Sequence, residues 1–315
     1  MSNAAGGRLP HAPYEPTPRH PVIHEMRART VLNRVAPPMP FRWSANPYRG
    51  CVHACAYCYA RPSHIAFAMD GGADFERHVF VKVNAPAVLR DELRRPSWRR
   101  EAVHIGTIVD PYQPVEGRYR ITRGLLQALA ATRTPATLIT KNSMVQRDVD
   151  VLRELHARAG CAVCVSVTSL DAALLRRMEP GTPPPLRRLE TVRRLVEAGI
   201  PAGVMVMPLL PGITVDADSL AALAAAARAC GACFFMAGAL RLGPNFEPWF
   251  SPFLRSERPD LLPLYRRLYP TGYAPRPYVE RLHATVASLR ADFGLPAAPP
   301  PLLPAREPAQ LALAW

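Results

Sequence analysis

Residues 49–59 read RGCVHACAYCY and carry three cysteines, Cys51, Cys55 and Cys58, in a CxxxCxxC spacing. Thiols so close together are a fairly specific sign of metal binding. A closed structural zinc site takes four protein ligands, whereas this loop offers three and leaves one coordination position of a metal centre open. The stretch therefore predicts a catalytic metal centre.

Two other interpretations of the three cysteines remain open. The loop forms a zinc knuckle if His53 or a remote cysteine supplies the fourth ligand, or the thiols are unrelated core residues. A zinc knuckle would make the chain a zinc-stabilised module that binds nucleic acid through its arginines, without catalysis. The series of βα units described below disfavours this module, which rarely needs so large a scaffold.

The composition permits several kinds of partner. The 315 residues, 49% of them hydrophobic, suffice for one large α/β domain with a buried core. A formal net charge of +14 suits a polyanionic partner. Yet only Lys82 and Lys141 are lysines among the 39 basic residues, and 36 prolines accompany the many arginines. Because this bias runs through the whole chain, the charge permits a nucleic-acid partner without indicating one.

The cysteine count and the first residues predict the compartment. Seven cysteines cannot all pair, and residues 1–20 are polar and rich in proline, without the pattern of a signal peptide. We therefore expect a reducing, cytoplasmic location.

One segment is apolar enough to suggest a membrane span. Residues 220–240 contain Arg228 as their single charged residue, and about 20 apolar residues suffice to cross a bilayer. The alanine-rich first half, Gly231 and the following Phe234-Phe235-Met236 instead favour a helix, a turn and a buried strand. No membrane span is expected.

Short apolar runs alternate with amphipathic stretches from residue 41 to residue 242, as in βα units that build a parallel sheet. Between the runs, apolar residues recur at helical spacing, for example Leu186, Leu189, Val192 and Val196. The predicted strands are 41–45, 102–107, 136–140, 162–168, 202–207 and 233–240. Six such units predict an α/β protein with a partial (β/α)6 TIM-like barrel, whose active site lies at the carboxyl ends of the strands.

The segments outside the βα pattern differ in composition. We expect a flexible arm, or a strap across the barrel, over residues 1–30 and the core barrel over residues 31–245. Residues 246–294 predict a small helical extension that includes a helix from Tyr278 to Phe293. Residues 295–315 predict a proline-rich, disordered tail.

Polar residues follow the predicted strands. The second strand runs into the segment 106–114, GTIVDPYQP, and the third ends at Thr140 and Lys141. In the fourth strand the residues Cys164, Ser166 and Thr168 share one face, and valines occupy the other. Because valines suit the face that helices cover, we expect the polar face to point inward.

With these motifs the chain resembles the radical S-adenosylmethionine (SAM) enzymes, in the branch of bacterial proteins related to spore photoproduct lyase. The resemblance covers residues 31–242 and rests on the cysteine loop and on four further motifs: NPYRG at 46–50, DPYQP at 110–114, LITK at 138–141 and MEPGT at 178–182. It implies a [4Fe-4S] cluster that cleaves SAM reductively to methionine and a 5′-deoxyadenosyl radical, which abstracts hydrogen from a substrate. It also implies a reductant such as flavodoxin or ferredoxin.

The resemblance implies roles for individual residues. Cys51, Cys55 and Cys58 would hold the cluster, and Tyr57 would lie beside the adenine of SAM. Lys141 and Ser166 would contact the methionyl carboxylate or the ribose. The roles implied for four further residues are less specific. Gly106, Thr107 and Asp110 would line the cavity, and Glu179 would contact SAM or pair with an arginine such as Arg177.

The sequence departs from spore photoproduct lyase at one position. That enzyme carries a cysteine in the second-strand segment that returns a hydrogen atom to the product, whereas Thr107 stands there in this chain. A hydroxyl O–H bond is too strong for this role. Photoproduct repair is therefore not implied, although Tyr112 or Cys164 would in principle supply a hydrogen atom. The substrate stays unidentified, with nucleic-acid repair or modification as an alternative.

Four more cysteines form two CxxC pairs, Cys161 with Cys164 and Cys230 with Cys233. The pairs lie near the starts of strands four and six, at the end of the barrel opposite to the cysteine loop. We expect free buried thiols, with zinc, a second cluster or a redox couple as alternatives.

Overall fold

The fold is described here from a computed structural model, which covers residues 21–37 and 39–302. Its strands are, in chain order, β1 Val22–Met26, β2 Leu32–Arg34, β3 Trp43–Ala45, β4 Tyr48–Arg49, β5 His78–Lys82, β6 Val103–Ile105, β7 Ala136–Thr140, β8 Cys161–Ser166, β9 Ala202–Leu209 and β10 Phe235–Ala239. Its helices are α1 Ala73–Arg77, α2 Ala85–Leu93, α3 Glu116–Tyr119, α4 Ile121–Ala131, α5 Val149–Ala159, α6 Ala172–Met178, α7 Pro185–Glu197, α8 Ala217–Ala229, α9 Ser251–Glu257, α10 Leu262–Leu268 and α11 Arg276–Asp292.

Seven strands form the principal sheet, in the order β10-β9-β8-β7-β6-β3-β2. The six strands from β10 to β3 are parallel, and β2 pairs antiparallel with β3. The α/β class and the six parallel strands are as predicted. Since β2 and β10 are edges of this sheet, the parallel strands form an open rather than a closed barrel.

The predicted strands are all present, with small differences in length. The strand predicted over 136–140 matches β7, whereas the one predicted over 102–107 shortens to β6. Gly106 adopts φ +87°, a left-handed conformation that ends β6. A Cβ atom at Gly106 would lie 2.2 Å from the Ile139 carbonyl oxygen, so only glycine fits there.

A second, three-stranded sheet with the order β1-β5-β4 was not expected. Residues 22–26 lie within the predicted flexible arm, yet they form β1, which runs parallel to β5. The strand is held by pairing with a segment more than fifty residues away, which local patterning does not reveal. The other residues of the predicted arm, 1–20, lie outside the described residues.

The two faces of the parallel sheet carry different side chains, as predicted for β8. Val163 and Val165 belong to the main core beneath the helices. Cys164 belongs to a separate inner cluster with Met205 of β9. Leu186, predicted on the apolar face of α7, is instead 71% exposed, and Arg188 takes part in the buried stripe.

The carboxyl-terminal residues pack at two places. Phe250 and Phe253 form an apolar cluster with Ala56 and Tyr57 of the cysteine loop, while α11 packs on the main core. Of the predicted tail, residues 295–302 are described, and the Pro296 carbonyl oxygen accepts a 2.8 Å hydrogen bond from the Phe235 N–H. Residues 303–315 lie outside the described residues.

The apolar segment 220–240 contains most of α8, a turn at Gly231 with φ +77° and β10. In the described part of the chain, no helix has the length and apolar character needed to cross a membrane.

Candidate active site

The cysteine loop follows β4 and is anchored at both ends. Gly50 precedes it with φ +77°, and a Cβ atom there would lie 2.1 Å from the His78 carbonyl oxygen. The fully buried Gln113 amide donates to the Gly50 carbonyl at 3.0 Å and accepts from the Val52 N–H at 3.3 Å. At the far end, Asn245 Nδ2 donates to the Cys58 carbonyl oxygen at 2.9 Å. The DPYQP motif thus contributes its glutamine to the shape of the loop.

The pKa values of the three thiols of the loop depend on burial, nearby charges and backbone N–H groups. Burial raises the pKa of Cys51 to about 12 and that of Cys55 well above its usual range, and it also raises the pKa of Cys58. The nearby charges of Lys141 and Arg61 counteract burial at Cys55 and Cys58 respectively. Backbone N–H groups counteract it at Cys51 and Cys58.

This donor set fits a positively charged cluster. Buried thiols that have cations and N–H groups beside them become thiolates when metal binding displaces their protons. Within residues 21–37 and 39–302, no three His, Cys, Asp or Glu side chains converge as ligands of a single metal ion would.

The MEPGT motif packs directly on the cysteine loop. The Ala56 N–H donates to the Met178 carbonyl oxygen at 2.9 Å, and the Gly181 N–H donates to the His53 carbonyl oxygen at 3.2 Å. A Cβ atom at Gly181 would lie 2.0 Å from the Val52 carbonyl oxygen. This close backbone approach requires glycine and holds the loop against the end of α6.

Glu179, in the same motif, is fully buried and bound on both carboxylate oxygens. Its Oε2 lies 2.6 Å from Arg188 Nη1, and its Oε1 accepts hydrogen bonds from Tyr57 Oη and, at 3.2 Å, from Thr168 Oγ1. Burial opposes ionisation, but the Arg188 and Lys141 charges outweigh it and lower the pKa of Glu179 to about 2.

Glu179 pairs with an arginine, which is one of the two alternatives considered for it, and the partner is Arg188 and not Arg177. Arg177 points away from the loop and pairs with Glu257 at 2.7 Å. The reason is that Arg177 lies on the exposed side of α6, while Arg188 reaches Glu179 from the buried face of α7.

Lys141 lies where its sequence position predicts, just after β7. Its Nζ is 5.8 Å from the centroid of the Tyr57 ring. Burial opposes its charge, but the Glu179 carboxylate and Cys55 raise the pKa of Lys141. The structure thus brings an ammonium, an aromatic ring and a cluster cysteine together at the carboxyl ends of the strands.

Asp110 lies between the strand ends and the cysteine loop. Its carboxylate accepts hydrogen bonds from the Lys141 N–H at 2.6 Å, Thr140 Oγ1 at 2.7 Å and the Tyr112 N–H at 2.9 Å. His53 Nδ1 lies 3.3 Å from the same carboxylate. Burial is outweighed by His53 and these bonds, which lower the pKa of Asp110 to about 2. Asp110 therefore ties β7 to the cysteine loop.

Thr107 and Ser166 lie near this group of residues. Thr107 Oγ1 accepts a 3.2 Å hydrogen bond from Asn46 Nδ2, and its carbonyl oxygen accepts one from Tyr59 Oη. Ser166 is buried at the end of β8, and its carbonyl oxygen accepts from Arg188 Nη1 at 3.1 Å.

Tyr112, one of the two residues that would in principle supply a hydrogen atom, packs in the main core. Its side chain is fully buried, and its hydroxyl donates to Asp148 Oδ2 at 3.0 Å. Asp148 and Glu116 are bound in turn by Arg147 on the helical side of the sheet. Burial and Asp148 raise the pKa of Tyr112 well above its usual range.

The four remaining cysteines are free thiols. Cys161 and Cys164 are buried as expected, and burial raises the pKa of each to about 12. Cys230 and Cys233 are only partly buried, because they flank the turn at Gly231 that connects α8 to β10.

Sequence reasoning missed the residues that support the site from outside it. These are Asn46, Tyr59, Gln113 and Arg188. Arg188 carried a signal, since a charged residue stands four positions before Val192 on an otherwise apolar helix face. Tyr59 is 54% exposed directly after the third cysteine of the loop.

Comparisons with known proteins agree with this geometry. The sequence model of the Radical SAM superfamily matches residues 45–224. The uncharacterized protein Rv2578c of Mycobacterium tuberculosis is 41% identical over 298 residues, which cover 92% of this chain and 88% of that protein. The uncharacterized protein MJ0683 of Methanocaldococcus jannaschii is 24% identical over 191 residues, which cover 61% of this chain and 69% of that protein.

Solved structures share the fold. A spore photoproduct lyase mutant with bound AdoMet and dinucleoside spore photoproduct superposes with a TM-score of 0.66 and 16% identity, covering 86% of this chain and 79% of that one. The open parallel sheet is thus the partial barrel of radical SAM proteins. Since the family match spans more than half of the chain, the protein belongs to the Radical SAM superfamily and is a radical SAM enzyme that uses a [4Fe-4S] cluster and SAM.

Proposed function

We propose that Cys51, Cys55 and Cys58 hold the [4Fe-4S] cluster and that SAM binds between it and the carboxyl ends of the parallel strands. When bound and reduced, the cluster supplies the electron that cleaves SAM to methionine and a 5′-deoxyadenosyl radical, which abstracts hydrogen from the substrate. The observation that carries the proposal is the meeting of Cys55, Lys141 and Tyr57 at one point of the barrel rim.

Lys141 and Tyr57 recognise different parts of SAM. The Lys141 ammonium pairs with the methionyl carboxylate, because its raised pKa keeps it charged. Tyr57 places its ring beside the adenine, and the bond to Glu179 sets the orientation of that ring. Gly106, Thr107 and Ser166 line the space between them.

Asp110 and Glu179 act by positioning. The oxygens of both carboxylates are bound by protein donors. Asp110 therefore orients the Lys141 backbone and Glu179 orients the Tyr57 ring, and neither contacts SAM. This refines the cavity-lining role that the resemblance implies for Asp110, and for Glu179 it favours pairing with an arginine over contact with SAM.

The test is anaerobic reconstitution followed by analysis of iron and products. The wild-type protein should hold close to four irons per chain and should form methionine and 5′-deoxyadenosine once reduced. Cys51→Ser, Cys55→Ser and Cys58→Ser should each lose both properties, and Cys230→Ser serves as the matched control. A fully loaded cluster that never yields methionine would overturn the proposal.

A second candidate concerns the substrate. Arg94, Arg95, Arg99 and Arg100 are exposed on the loop that carries Trp98 and leads into the amino end of β6, and arginines favour phosphate groups, so this loop would hold a flanking part of a nucleic acid and not the part that reacts. The structural relative described above carries a dinucleoside spore photoproduct. These observations favour nucleic-acid repair or modification by the same radical chemistry. Thr107 stands where the photoproduct enzyme has the cysteine that returns a hydrogen atom to the product, so that step is not part of this candidate.

Salt-dependent binding tests the nucleic-acid candidate. Affinity for single- and double-stranded oligonucleotides should fall steeply as salt rises, because bound arginines displace counterions from phosphates. Replacing Arg99 and Arg100 by glutamine should flatten that dependence, with Arg276→Gln on α11 as the control. Absence of binding at low salt would leave a small molecule or a protein as the substrate.

A further inference from the structure

The inward face of the parallel sheet differs in composition from its outward face. Val204 and Val206 of β9 point into the main core, whereas Met205 and Met207, which alternate with them, point into the inner cluster. The same alternation and the strand register define the other inward positions. From β3 to β10 these are Ser44, His104, Thr137, Ile139, Ala162, Cys164, Ser166, Gly203, Met205, Met207, Met236 and Gly238.

The register arranges these inward residues in layers. In the lower layer Ser44 is paired with His104, and His104 with Thr137. In a higher layer Met205 is paired with Met236. The wall formed by β3, β6 and β7 therefore carries hydroxyl and imidazole groups, and the wall formed by β9 and β10 carries thioethers.

The interior is not filled. Five of the inward residues, His104, Ile139, Met207, Met236 and Gly238, are partly exposed, whereas the other seven, with Ser44, Thr137 and Met205 among them, are buried. In a barrel packed with side chains the inward residues would be buried as well. Space thus remains between the two walls.

The space is closed at the amino ends of the strands. Phe234, which is fully buried, and Leu302 pack in the inner cluster beside Cys164. A Cβ atom at Gly203 would lie 2.6 Å from the Phe234 ring, so the ring occupies the floor. The opening faces the carboxyl ends, where Lys141 and the cysteine loop lie.

The walls carry no formal charge. Among the inward positions of the described strands β3 and β6–β10, none is Asp, Glu, Lys or Arg. Burial lowers the pKa of His104 to about 4, so its imidazole is neutral near pH 7. A charged ligand group would lose its hydration here and find no countercharge, which is costly.

We infer that this chamber binds an uncharged part of the substrate, with the His104 side chain at its polar edge and Met207 and Met236 against its faces. Thioethers make favourable contacts with aromatic rings, and a neutral imidazole donates or accepts one hydrogen bond. The inference rests on the proposed function and specifies which chemistry reaches the radical: charged groups of the substrate stay outside the chamber.

Three probes of the same size and different charge test the chamber: benzamide, benzoate and benzamidinium. They are titrated into reconstituted protein with SAM and the oxidised cluster, with methyl-13C-labelled methionine as the NMR reporter. Met207→Leu and Met236→Leu assign the two chamber signals. Met144, which lies outside the sheet near α3 and packs on the main core, is the internal control.

Benzamide should shift the Met207 and Met236 signals and leave Met144 unchanged, and both charged probes should bind at least about tenfold more weakly. Met207→Lys should reverse the order, so that benzoate binds more tightly than benzamide. Equal binding of benzoate and benzamide by the wild-type protein, or no response of the two signals to benzamide, would overturn the chamber. The wild-type series decides the question by itself if the lysine variant does not fold.

The same preparation separates this inference from the proposed function. A protein that cleaves SAM but binds benzoate as well as benzamide retains the proposed function and excludes the chamber. A protein that selects benzamide but never forms methionine retains the chamber and excludes the proposed function.

Discussion

Glu179 and Arg188 form an ion pair in which Oε2 and Nη1 lie 2.6 Å apart and both side chains are fully buried. Around it, the Tyr57 hydroxyl donates to Glu179, and Arg188 donates to the Pro183 and Ser166 carbonyl oxygens at 2.7 and 3.1 Å. The pair therefore joins the cysteine loop, the end of β8 and the start of α7.

Glu179→Gln should lower the free energy of unfolding by about 3–5 kcal/mol, because it leaves the Arg188 charge buried without a countercharge. Urea unfolding of the metal-free protein measures this. Glu257→Gln is the matched control, since its partner Arg177 is half exposed, and we expect a change below about 1 kcal/mol. Similar losses for the two variants would contradict the importance of burial.

Arg188→Met and the double variant with Glu179→Gln complete a thermodynamic cycle. The coupling energy between the two side chains should exceed about 2 kcal/mol, since each single variant leaves an uncompensated charge. A coupling near zero would show that Arg188 stabilises the fold through its carbonyl contacts alone.

Gly181→Ala should lower the iron content after reconstitution, because the new Cβ atom would collide with the Val52 carbonyl oxygen and push the cysteine loop away from α6. We expect less than half of the wild-type iron, measured by chemical iron analysis. Gly117→Ala in α3 is the control: its nearest contact would be Met144 Cε at 3.8 Å, an ordinary distance. Full iron loading of Gly181→Ala would show that the loop tolerates the displacement.

Tyr57→Leu should weaken SAM binding about tenfold, because it removes the ring beside Lys141 and the adenine. Tyr57→Phe keeps the ring and loses only the hydroxyl bond to Glu179, so a loss of about two- to fivefold is expected. Equilibrium dialysis with the reconstituted protein measures both, with Tyr119→Phe as the control at a tyrosine outside the site. An unchanged affinity in Tyr57→Leu would remove Tyr57 from the SAM site.

Stability should decrease between pH 6.5 and pH 4 through His104. Burial lowers its pKa from 6.5 to about 4 in the folded protein, so in this window the unfolded chain binds a proton that the folded chain does not. The free energy of unfolding therefore rises with pH here, by up to about 3 kcal/mol in total. His104→Gln should remove this contribution, whereas His283→Gln, at an exposed position of α11, should retain it. Parallel pH profiles of wild type and His104→Gln would place His104 outside the buried chamber.

Much of the fold followed from local patterns. The alternation of apolar residues in 136–140 and 162–168 predicted β7 and β8, because a strand that is covered by helices needs apolar residues whatever its neighbours are. The small sheet was missed for the opposite reason. Residues 22–26 become a strand through pairing with β5, and their own sequence carries no clear alternation.

Some parts of the candidate site were likewise predicted from the sequence, and others were not. Cys51, Cys55 and Cys58 were recognisable as candidate ligands because they lie in one short loop, so that their spacing is itself the chemical signal. Lys141 was recognisable because a strand end in a parallel sheet has a known place. For Glu179 an arginine partner was one of two alternatives, with Arg177 as the example because it is adjacent in the chain, and only the packing of α7 shows that the partner is Arg188.

Thiol spacing and the recurrence of apolar residues are properties of neighbouring positions, and they were enough to predict a catalytic metal centre and the six βα units. The partner of Glu179, the tether between His53 and Asp110 and the uncharged lining around His104 depend on the register and packing of segments far apart in the chain. Such contacts form only when burial of the apolar faces stacks the strands in one order, so they could be read from the folded protein alone.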